Sequence, residues 1–159
     1  MNNFLEWIKN YIKEEFENDT QIPKTKSVEV YNAYQSGHEV STTTVPEIQI
    51  QILDNSEVER YSTFEEGEKV SYIPLQFTSY TSQMKLNTTM KSAQEWSIRF
   101  GDKLKAMLNN LRTNKVVNKN ILSVQVMGMS PAMPLLDGKV YAAAIRCRFW
   151  IANPYVVEE

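Results

Sequence analysis

The stretch Glu47-Ile48-Gln49-Ile50-Gln51-Ile52 carries the clearest structural signal in the sequence. Its period is two, because isoleucines alternate with a glutamate and glutamines. In an extended strand, successive side chains point to opposite faces, so this pattern predicts a strand with Ile48, Ile50 and Ile52 buried and the polar residues solvated. Such strands are typical of antiparallel sheets that are covered on one face only. The fold is therefore expected to contain a one-sided sheet.

Strands are also predicted on both sides of this stretch. Residues 28–34 and 40–45 are rich in β-branched and aromatic residues, and the turn-like residues 35–38 between them favour a hairpin. Residues 70–81 read as another strand, and Pro74 lies within it. Because proline cannot donate a hydrogen bond to a neighbouring strand, this strand is expected at an edge of the sheet, at least locally.

Two final strands are predicted, over residues 121–129 and 139–151. The second one alternates, with Cys147 on the apolar face as a buried structural thiol. Its other face carries Arg146, Arg148 and Trp150. Arginine and tryptophan are frequent anchors of protein interfaces, so these three residues are the predicted subunit interface. Interleaved basic and aromatic residues also occur on nucleic-acid-binding surfaces, which leaves that alternative open.

Two helices complete the pattern. Apolar residues recur at spacings of three and four from about Asn3 to Asn18, which predicts an amphipathic helix facing the core. A second, longer stripe runs from Met90 to about Arg112, with Thr88 or Thr89 as the expected N-cap. Gly101 weakens this helix but would permit close packing on the sheet.

The element order predicts the class α+β, with an antiparallel or mixed β-sheet, an N-terminal helix and one long helix packed on the sheet. The 159 residues fit a single domain over 1–159. Residues 54–69 read as a long acidic loop, and 153–159 as a short tail. Loops of this length without structure of their own are usually functional or disordered.

The composition excludes several kinds of site. One cysteine cannot form an intrachain disulfide, and Cys147 and His38 together cannot supply a zinc site of Cys and His ligands. The five glycines are far apart in the sequence, so it contains no glycine-rich phosphate loop. No constellation of catalytic groups is recognisable. We therefore expect a protein that is not an enzyme and has no catalytic residues, metal site or cofactor.

The formal net charge is −2, which gives no global basic field for nucleic acid. Charge is nevertheless segregated, since acids are concentrated between residues 54 and 68 while bases occur late in the second helix and on the last strand. No stretch approaches the roughly 18 uninterrupted apolar residues of a membrane span, and no signal peptide is visible. A soluble protein without a membrane partner is expected.

The order of elements resembles that of the tail-terminator proteins of tailed bacteriophages, also called neck or tail-completion proteins. These are small α+β subunits with an N-terminal helix, a sheet with a long loop between central strands, a long helix on the sheet, and closing strands. The resemblance covers most of the chain and rests on this order, together with the texture of Val70-Ser71-Tyr72-Ile73-Pro74-Leu75-Gln76-Phe77 and Ser123-Val124-Gln125-Val126.

The resemblance implies a homo-oligomer, commonly a hexameric ring, that caps the tail tube and joins it to the head–neck connector of the virion. Such a protein is made in the cytoplasm of the bacterial host. Double-stranded DNA would pass through its lumen without specific binding. Acids that face the lumen would repel phosphate, so the predicted channel-facing or partner-binding residues are those of the acidic loop, Glu57, Glu59, Glu65, Glu66 and Glu68.

Two other functions are compatible with the sequence. One is a different phage neck or tail subunit, such as a head-completion or tube protein. The other is a small nucleic-acid-binding module that uses the face of Arg146, Arg148 and Trp150.

Overall fold

A computed structural model describes residues 2–31, 39–53, 60–62, 69–113, 121–130 and 132–153. The acidic residues of the 54–68 segment named above lie outside these ranges. The helices are α1 (Asn2–Asn18) and α2 (Ala93–Thr113). The strands are β1 (Ser27–Tyr31), β2 (Glu47–Ile52), β3 (Arg60–Ser62), β4 (Lys69–Ser82), β5 (Met84–Leu86), β6 (Thr89–Lys91), β7 (Ile121–Met129), β8 (Met133–Leu135) and β9 (Val140–Asn153).

Seven of these strands form one mixed sheet. Its main order is β1-β2-β4-β9-β7, with β3 paired to β4 and β8 paired to β9. β1 runs parallel to β2, and every other neighbouring pair in the sheet is antiparallel. β5 and β6 form a separate small hairpin. The predicted α+β class, with an N-terminal helix and a long helix packed on a mixed sheet, is confirmed.

The hydrophobic core lies between the two helices and one face of the sheet. α1 contributes the stripe that its spacing predicts, and Phe4, Ile8 and Phe16 are fully buried. The Phe4 ring lies 5.2 Å from Phe149 of β9, and the Phe16 ring lies 5.2 Å from Phe100 of α2. These contacts join the two helices to the sheet in one apolar cluster.

Gly101 lets α2 approach the sheet closely, as its position in the stripe suggested. A β-carbon at Gly101 would lie 3.5 Å from the Ala143 β-carbon of β9 and 3.0 Å from the terminal methyl of Met129. Both distances are at or below ordinary van der Waals contact. Two small residues, one on each element, therefore set the separation of helix and sheet at this point.

The predicted hairpin of residues 28–34 with 40–45 is wrong. β1 pairs in parallel with β2 instead, and Val28 lies opposite Ile48. In the 40–45 segment, the Thr44 side chain accepts from the Ser41 amide at 2.9 Å and donates to the Ser41 carbonyl at 3.1 Å. Hydroxyl groups that bond to nearby backbone in this way compete with strand pairing, so the β-branched threonines form a turn.

The expectation of an edge at Pro74 holds only locally. β4 as a whole lies between β2 and β9 in the middle of the sheet, but Pro74 lies just beyond the last pair of β2 with β4, Ile52 opposite Leu75. The Leu53 amide donates to the Pro74 carbonyl at 3.0 Å. The carbonyl and the nitrogen of one residue point to the same side of a strand, so the Pro74 nitrogen also faces the end of β2. The N–H that proline lacks would therefore point to a place where β2 no longer offers an acceptor. For this reason a central strand can contain proline at this position.

The long helix begins later than predicted. Residues 84–91 form the β5–β6 hairpin, with Asn87 at a positive φ of 57° in its turn, so Thr88 and Thr89 are not N-caps. The cap is Ser92, whose side-chain oxygen accepts from the Glu95 amide at 3.2 Å. The Trp96 indole donates to the Met84 carbonyl at 2.8 Å and ties the hairpin to the helix.

The 54–69 segment is not wholly a loop. Within it, β3 pairs with the first residues of β4, and Arg60 lies opposite Ser71. At the other end, Ile52 lies opposite Leu75. β2 and β3 therefore lie along the same side of β4, and residues 54–59 connect them.

Candidate functional site

The face of the sheet opposite the helices is the strongest candidate for a functional surface. On β4, Ile73, Leu75 and Phe77 are buried under the helices, whereas the residues between them are only half-buried on the other face. On β9, Ile145, Cys147 and Phe149 are buried in the same way, and the residues that alternate with them lie on the other face. We call the open face the surface formed by Tyr72 and Gln76 of β4 and by Arg146, Arg148 and Trp150 of β9.

Strand alternation brings the three predicted interface residues together, because Arg146, Arg148 and Trp150 are separated by two positions along β9. The buried residues between them, Cys147 and Phe149, fix the register by filling the core. A slip of one residue would bury both arginines, so the core specifies which side chains reach the open face.

Arg146 is held by a cross-strand partner. It lies directly opposite Gln76, and its Nε donates to the Gln76 Oε1 at 2.9 Å. The Gln76 amide nitrogen in turn donates to the Thr78 hydroxyl at 3.2 Å. This chain of hydrogen bonds orients a guanidinium on an exposed side chain. Arginine presents five donors in a fixed fork, so an oriented guanidinium is suited to a carboxylate or phosphate partner.

Arg148 and Trp150 share a third residue, Tyr72. Tyr72 lies opposite Trp150, with ring centroids 5.4 Å apart and planes inclined by 55°. The guanidinium carbon of Arg148 lies 5.9 Å from the centre of the Tyr72 ring. Aromatic pairs and cation–π contacts of this kind contribute roughly 0.5–1.5 kcal/mol each. These contacts favour the side-chain arrangement seen here and offset part of the rotamer entropy that a partner would otherwise have to remove.

The far end of the same face departs from the prediction. Glu47 was expected on a solvated face, but it is fully buried. The Thr44 hydroxyl, whose one proton is shared with the Ser41 carbonyl, lies 3.4 Å from one of its oxygens, and the Gln49 amide donates to the other at 3.5 Å. Burial, helped by the nearby charge of Glu47 and by Tyr31, raises the pKa of Tyr80 opposite. Hydrogen bonds from its own neighbourhood explain how a carboxylate is accommodated there.

Sequence reasoning missed Tyr72 and Gln76 as members of the open face. Their alternation with Ile73, Leu75 and Phe77 already placed them on the polar side of their strand. Their proximity to Arg146 and Trp150 follows from the pairing of β4 with β9, which joins residues about 70 positions apart. No local pattern indicates such a partner.

The other predicted residues are distributed as follows. Glu57, Glu59, Glu65, Glu66 and Glu68 lie outside the described residues, as does His38. Cys147 is buried as expected, and burial raises the pKa of its thiol far above the usual range. Among the bases of α2, Lys103 is paired, since its Nζ lies 2.9 Å from an Asp19 oxygen and 5.6 Å from the centre of the Phe16 ring.

Two further observations concern ligands and membranes. Within the ranges given above, no group of three or more His, Cys, Asp or Glu side chains is placed to hold a metal ion. The same ranges include no helix with the length and apolar character needed to cross a bilayer.

Comparison with known proteins gives no match, either to a protein-family model or to a curated protein.

Proposed function

We propose that this chain is a structural subunit of a tailed-bacteriophage virion, a tail terminator. Copies assemble into a ring, with six as the expected number, which caps the tail tube and joins it to the head–neck connector. Double-stranded DNA passes through the lumen without specific binding. The protein is made in the cytoplasm of the bacterial host and becomes part of the tail or neck.

The observation that carries this proposal is the open face. The two helices lie on one side of the sheet. The other side displays two arginines and two aromatic residues, of which Arg148 and Trp150 contact Tyr72 while Arg146 is bonded to Gln76. Arg, Tyr and Trp are the residue types enriched at the centres of protein interfaces, where their order before binding reduces the entropic cost of association. A surface of this type suits a subunit that meets other proteins.

The element order supports the specific form of the proposal. The N-terminal helix, the sheet, the long helix on that sheet and the closing strands occur in the order found in tail terminators. Head-to-tail contacts between identical subunits close into a ring when their rotation completes a circle. The acids of the 54–68 segment are proposed to line the channel or to meet a partner ring, since negative charge would keep DNA from adhering to the wall.

The direct test is the assembly state of the purified protein, alone and with tail tubes. Native mass spectrometry and negative-stain imaging are expected to reveal closed rings of tail-tube width. Stacked rings without limit would indicate a tube protein instead. A protein that stays monomeric at high concentration and leaves tube ends bare would contradict the proposal.

Trp150→Ala tests whether the open face holds the ring together. The change removes the anchor that packs on Tyr72, so ring formation is expected to require at least tenfold more protein. Trp7→Ala is the matched control, because Trp7 is also half-buried and stacks on a tyrosine, Tyr11, but lies on α1. Equal assembly of the two variants would exclude the open face as the interface.

Charge reversal tests the acidic segment. A phage carrying lysine at the five positions 57, 59, 65, 66 and 68 is expected to lose infectivity, because a basic channel would retain DNA. If assembly and infectivity are both unchanged, these acids have no role in the channel or at a partner ring.

The geometry of Arg148, Tyr72 and Trp150 also favours a second candidate, a nucleic-acid-binding module. Stacked bases and phosphates are recognised by such combinations. The affinity for a labelled single-stranded oligonucleotide would then fall steeply between 50 and 200 mM salt, by about tenfold for two phosphate contacts. The double variant Arg146→Gln, Arg148→Gln would abolish this dependence, whereas absence of binding at 50 mM salt would exclude the module.

A further inference from the structure

The strand β7 forms one edge of the main sheet, since β9 is its one strand partner within the described residues. None of its nine residues is charged. Met127 and Met129 are 46% and 42% exposed. Two irregularities interrupt its pairing with β9, but residues 123–126 pair without interruption. Edge strands of soluble proteins are usually protected from other chains by charges, prolines or bulges. β7 has no charge or proline, and its two irregularities leave residues 123–126 regular.

The contact between α2 and the sheet leaves a groove open beside this edge. A groove of about 250 Å³ lies between α2 and the end of β7, with Ile98 and Met129 on its walls. Ile98 is about half exposed. Ser97 also lines the groove; its side chain is fully buried, and its hydroxyl has no hydrogen-bond partner. An unpaired buried hydroxyl costs roughly 1–3 kcal/mol, so a group that entered the groove and bonded to it would recover that free energy.

The opposite edge of the sheet is β1, whose one strand partner in the described chain is β2. It too borders a groove against a helix, lined by residues of α1 and by Glu29 and Val30 of β1. Glu29 lies 4.0 Å from Lys9 of α1. Val30 is half-buried against the core. The two edges therefore have the same construction, a strand beside a helix with apolar side chains that are only partly covered.

Strand direction makes these two edges complementary. Because β1 is parallel to β2 and the remaining neighbours are antiparallel, β4 and β7 run one way while β1, β2 and β9 run the other. Rotation about a ring axis preserves strand direction and keeps each face on the same side. β7 of one copy would therefore meet β1 of the next as an antiparallel pair, in which side chains of both open faces lie on one surface.

We infer that copies of this chain join through strand pairing between β7 of one subunit and β1 of the next. The inference rests on the proposed ring and adds a contact between neighbouring subunits that is separate from the open face. The edge variants below and Trp150→Ala therefore test two different contacts. Pairing gives backbone partners to β1 and to residues 123–126 of β7. The residues that precede Ser27 in the neighbouring subunit then continue along β7 toward Met129 and Ile98. The occupant of the groove is a second copy of this chain, because β1 supplies the required direction, an accessible edge and partly covered apolar residues.

Disulfide cross-linking tests the pairing directly. By alternation with the buried Val28, the Cα–Cβ bond of Glu29 points to the face opposite the core, and its carboxylate meets Lys9 of α1 at the edge of the sheet. Ser123 and Gln125 of β7 alternate with the buried Val124 and lie on the same face as Glu29. Glu29→Cys is combined in turn with Ser123→Cys and with Gln125→Cys, since opposite residues in an antiparallel pair lie close enough to bridge. The native Cys147 is buried and its thiol has a raised pKa, so it does not interfere.

The expected result is a ladder of covalent oligomers up to ring size in one of the two double variants, with none in the single variants. Dimers from Gln125→Cys or Ser123→Cys alone would show β7 pairing with β7 and overturn the inference. Rings seen by native mass spectrometry without any ladder would overturn the pairing but leave the proposed ring standing. A protein that forms neither rings nor cross-links would contradict both.

A charged edge provides a second measurement. Met127→Lys places a charge on the exposed edge and is expected to raise the concentration needed for ring formation at least tenfold. Met90→Lys is the matched control, because Met90 is 54% exposed on the separate β5–β6 hairpin. Circular dichroism verifies that both variants fold. Rings that form equally well in the two variants would overturn the inference.

Discussion

Replacing Gly101 by alanine should stabilise this protein, although the residue is buried at a close contact. The position lies in the interior of α2, where alanine is favoured over glycine by about 1 kcal/mol. The new methyl group would meet the Ala143 β-carbon at 3.5 Å, which is ordinary contact, and the Met129 terminal methyl at 3.0 Å, which is too close. The outcome therefore depends on whether Met129 can move.

Met129 should move at little cost. The close atom is the far end of a flexible side chain, and 42% of Met129 is exposed, so solvent-filled space is available. A displaced rotamer costs roughly 0.5 kcal/mol. The net gain is then about 0.5 kcal/mol, and for a domain of this length it corresponds to an increase in Tm of roughly 1–2 °C. Gly101→Leu should instead destabilise by about 1–3 kcal/mol, because its longer side chain is driven against the sheet.

The assay is urea unfolding of three variants together. Ala106→Gly, at an exposed position of the same helix, measures the propensity term alone and should cost about 1 kcal/mol. If Gly101→Ala lowers the free energy of unfolding by 1 kcal/mol or more while Ala106→Gly behaves as expected, then the separation of α2 and β9 is more rigid than this reasoning assumes.

Three other changes test separate features. Ser92→Ala removes the hydroxyl that caps α2 at Glu95, and the free energy of unfolding in urea should fall by about 1 kcal/mol; an unchanged midpoint would show that the cap is not significant. Leu136→Gly relieves a left-handed backbone at φ 50° and should raise the Tm, because this conformation costs a branched residue roughly 1–2 kcal/mol; a lower Tm would mean that the Leu136 side chain packs better than its exposure suggests. Lys103→Met removes the partner of Asp19 and should cost about 1 kcal/mol at neutral pH. Burial alone would raise the pKa of Asp19, but the Gln21 amide and Lys103 together hold it below its ordinary value of 3.8. The stabilisation is therefore complete above pH 3.8 and is lost as pH falls through the lowered pKa, so the wild type should lose more stability than Lys103→Met below pH 3.8; parallel acid-unfolding profiles would contradict the assignment.

Local periodicity predicted much of the fold. The alternation of Ile48, Ile50 and Ile52 gave β2, and the stripe from Phe4 to Phe16 gave α1, because each pattern reports which side of one element is buried. The same reasoning on β9 placed Arg146, Arg148 and Trp150 on one face. In each of these elements, the spacing of apolar residues along the element itself determines which face is buried.

The errors concern pairing between elements. Residues 28–34 and 40–45 look like a hairpin, yet β1 pairs in parallel with β2, and nothing local distinguishes the two arrangements. Pro74 predicts an edge, whereas its strand is central. The end of β2 beside Pro74 is set by strand pairing, which the local sequence does not show. By contrast, the late start of α2 had a visible signal, since Ser92 and Glu95 have the spacing of a capping box just before an apolar stripe. The apolar Met90 extends the stripe past this capping box, although it lies in β6.

The position of β9 has a consequence for biosynthesis. It is the last strand along the described chain, yet it lies between β4 and β7 and pairs with β4 over 14 residues of each strand. In a nascent chain, β4 and β7 therefore cannot become part of one sheet until the residues from Val140 onward have left the ribosome. Synthesis proceeds at about 5–20 residues per second. During that interval β4 and β7 both lack β9 as a neighbour, and the Phe149 ring is missing from the core beside Phe77. The chain thus passes through a period on the ribosome in which it needs protection from its neighbours, and a message truncated before Val140 would yield an aggregation-prone fragment rather than a smaller domain.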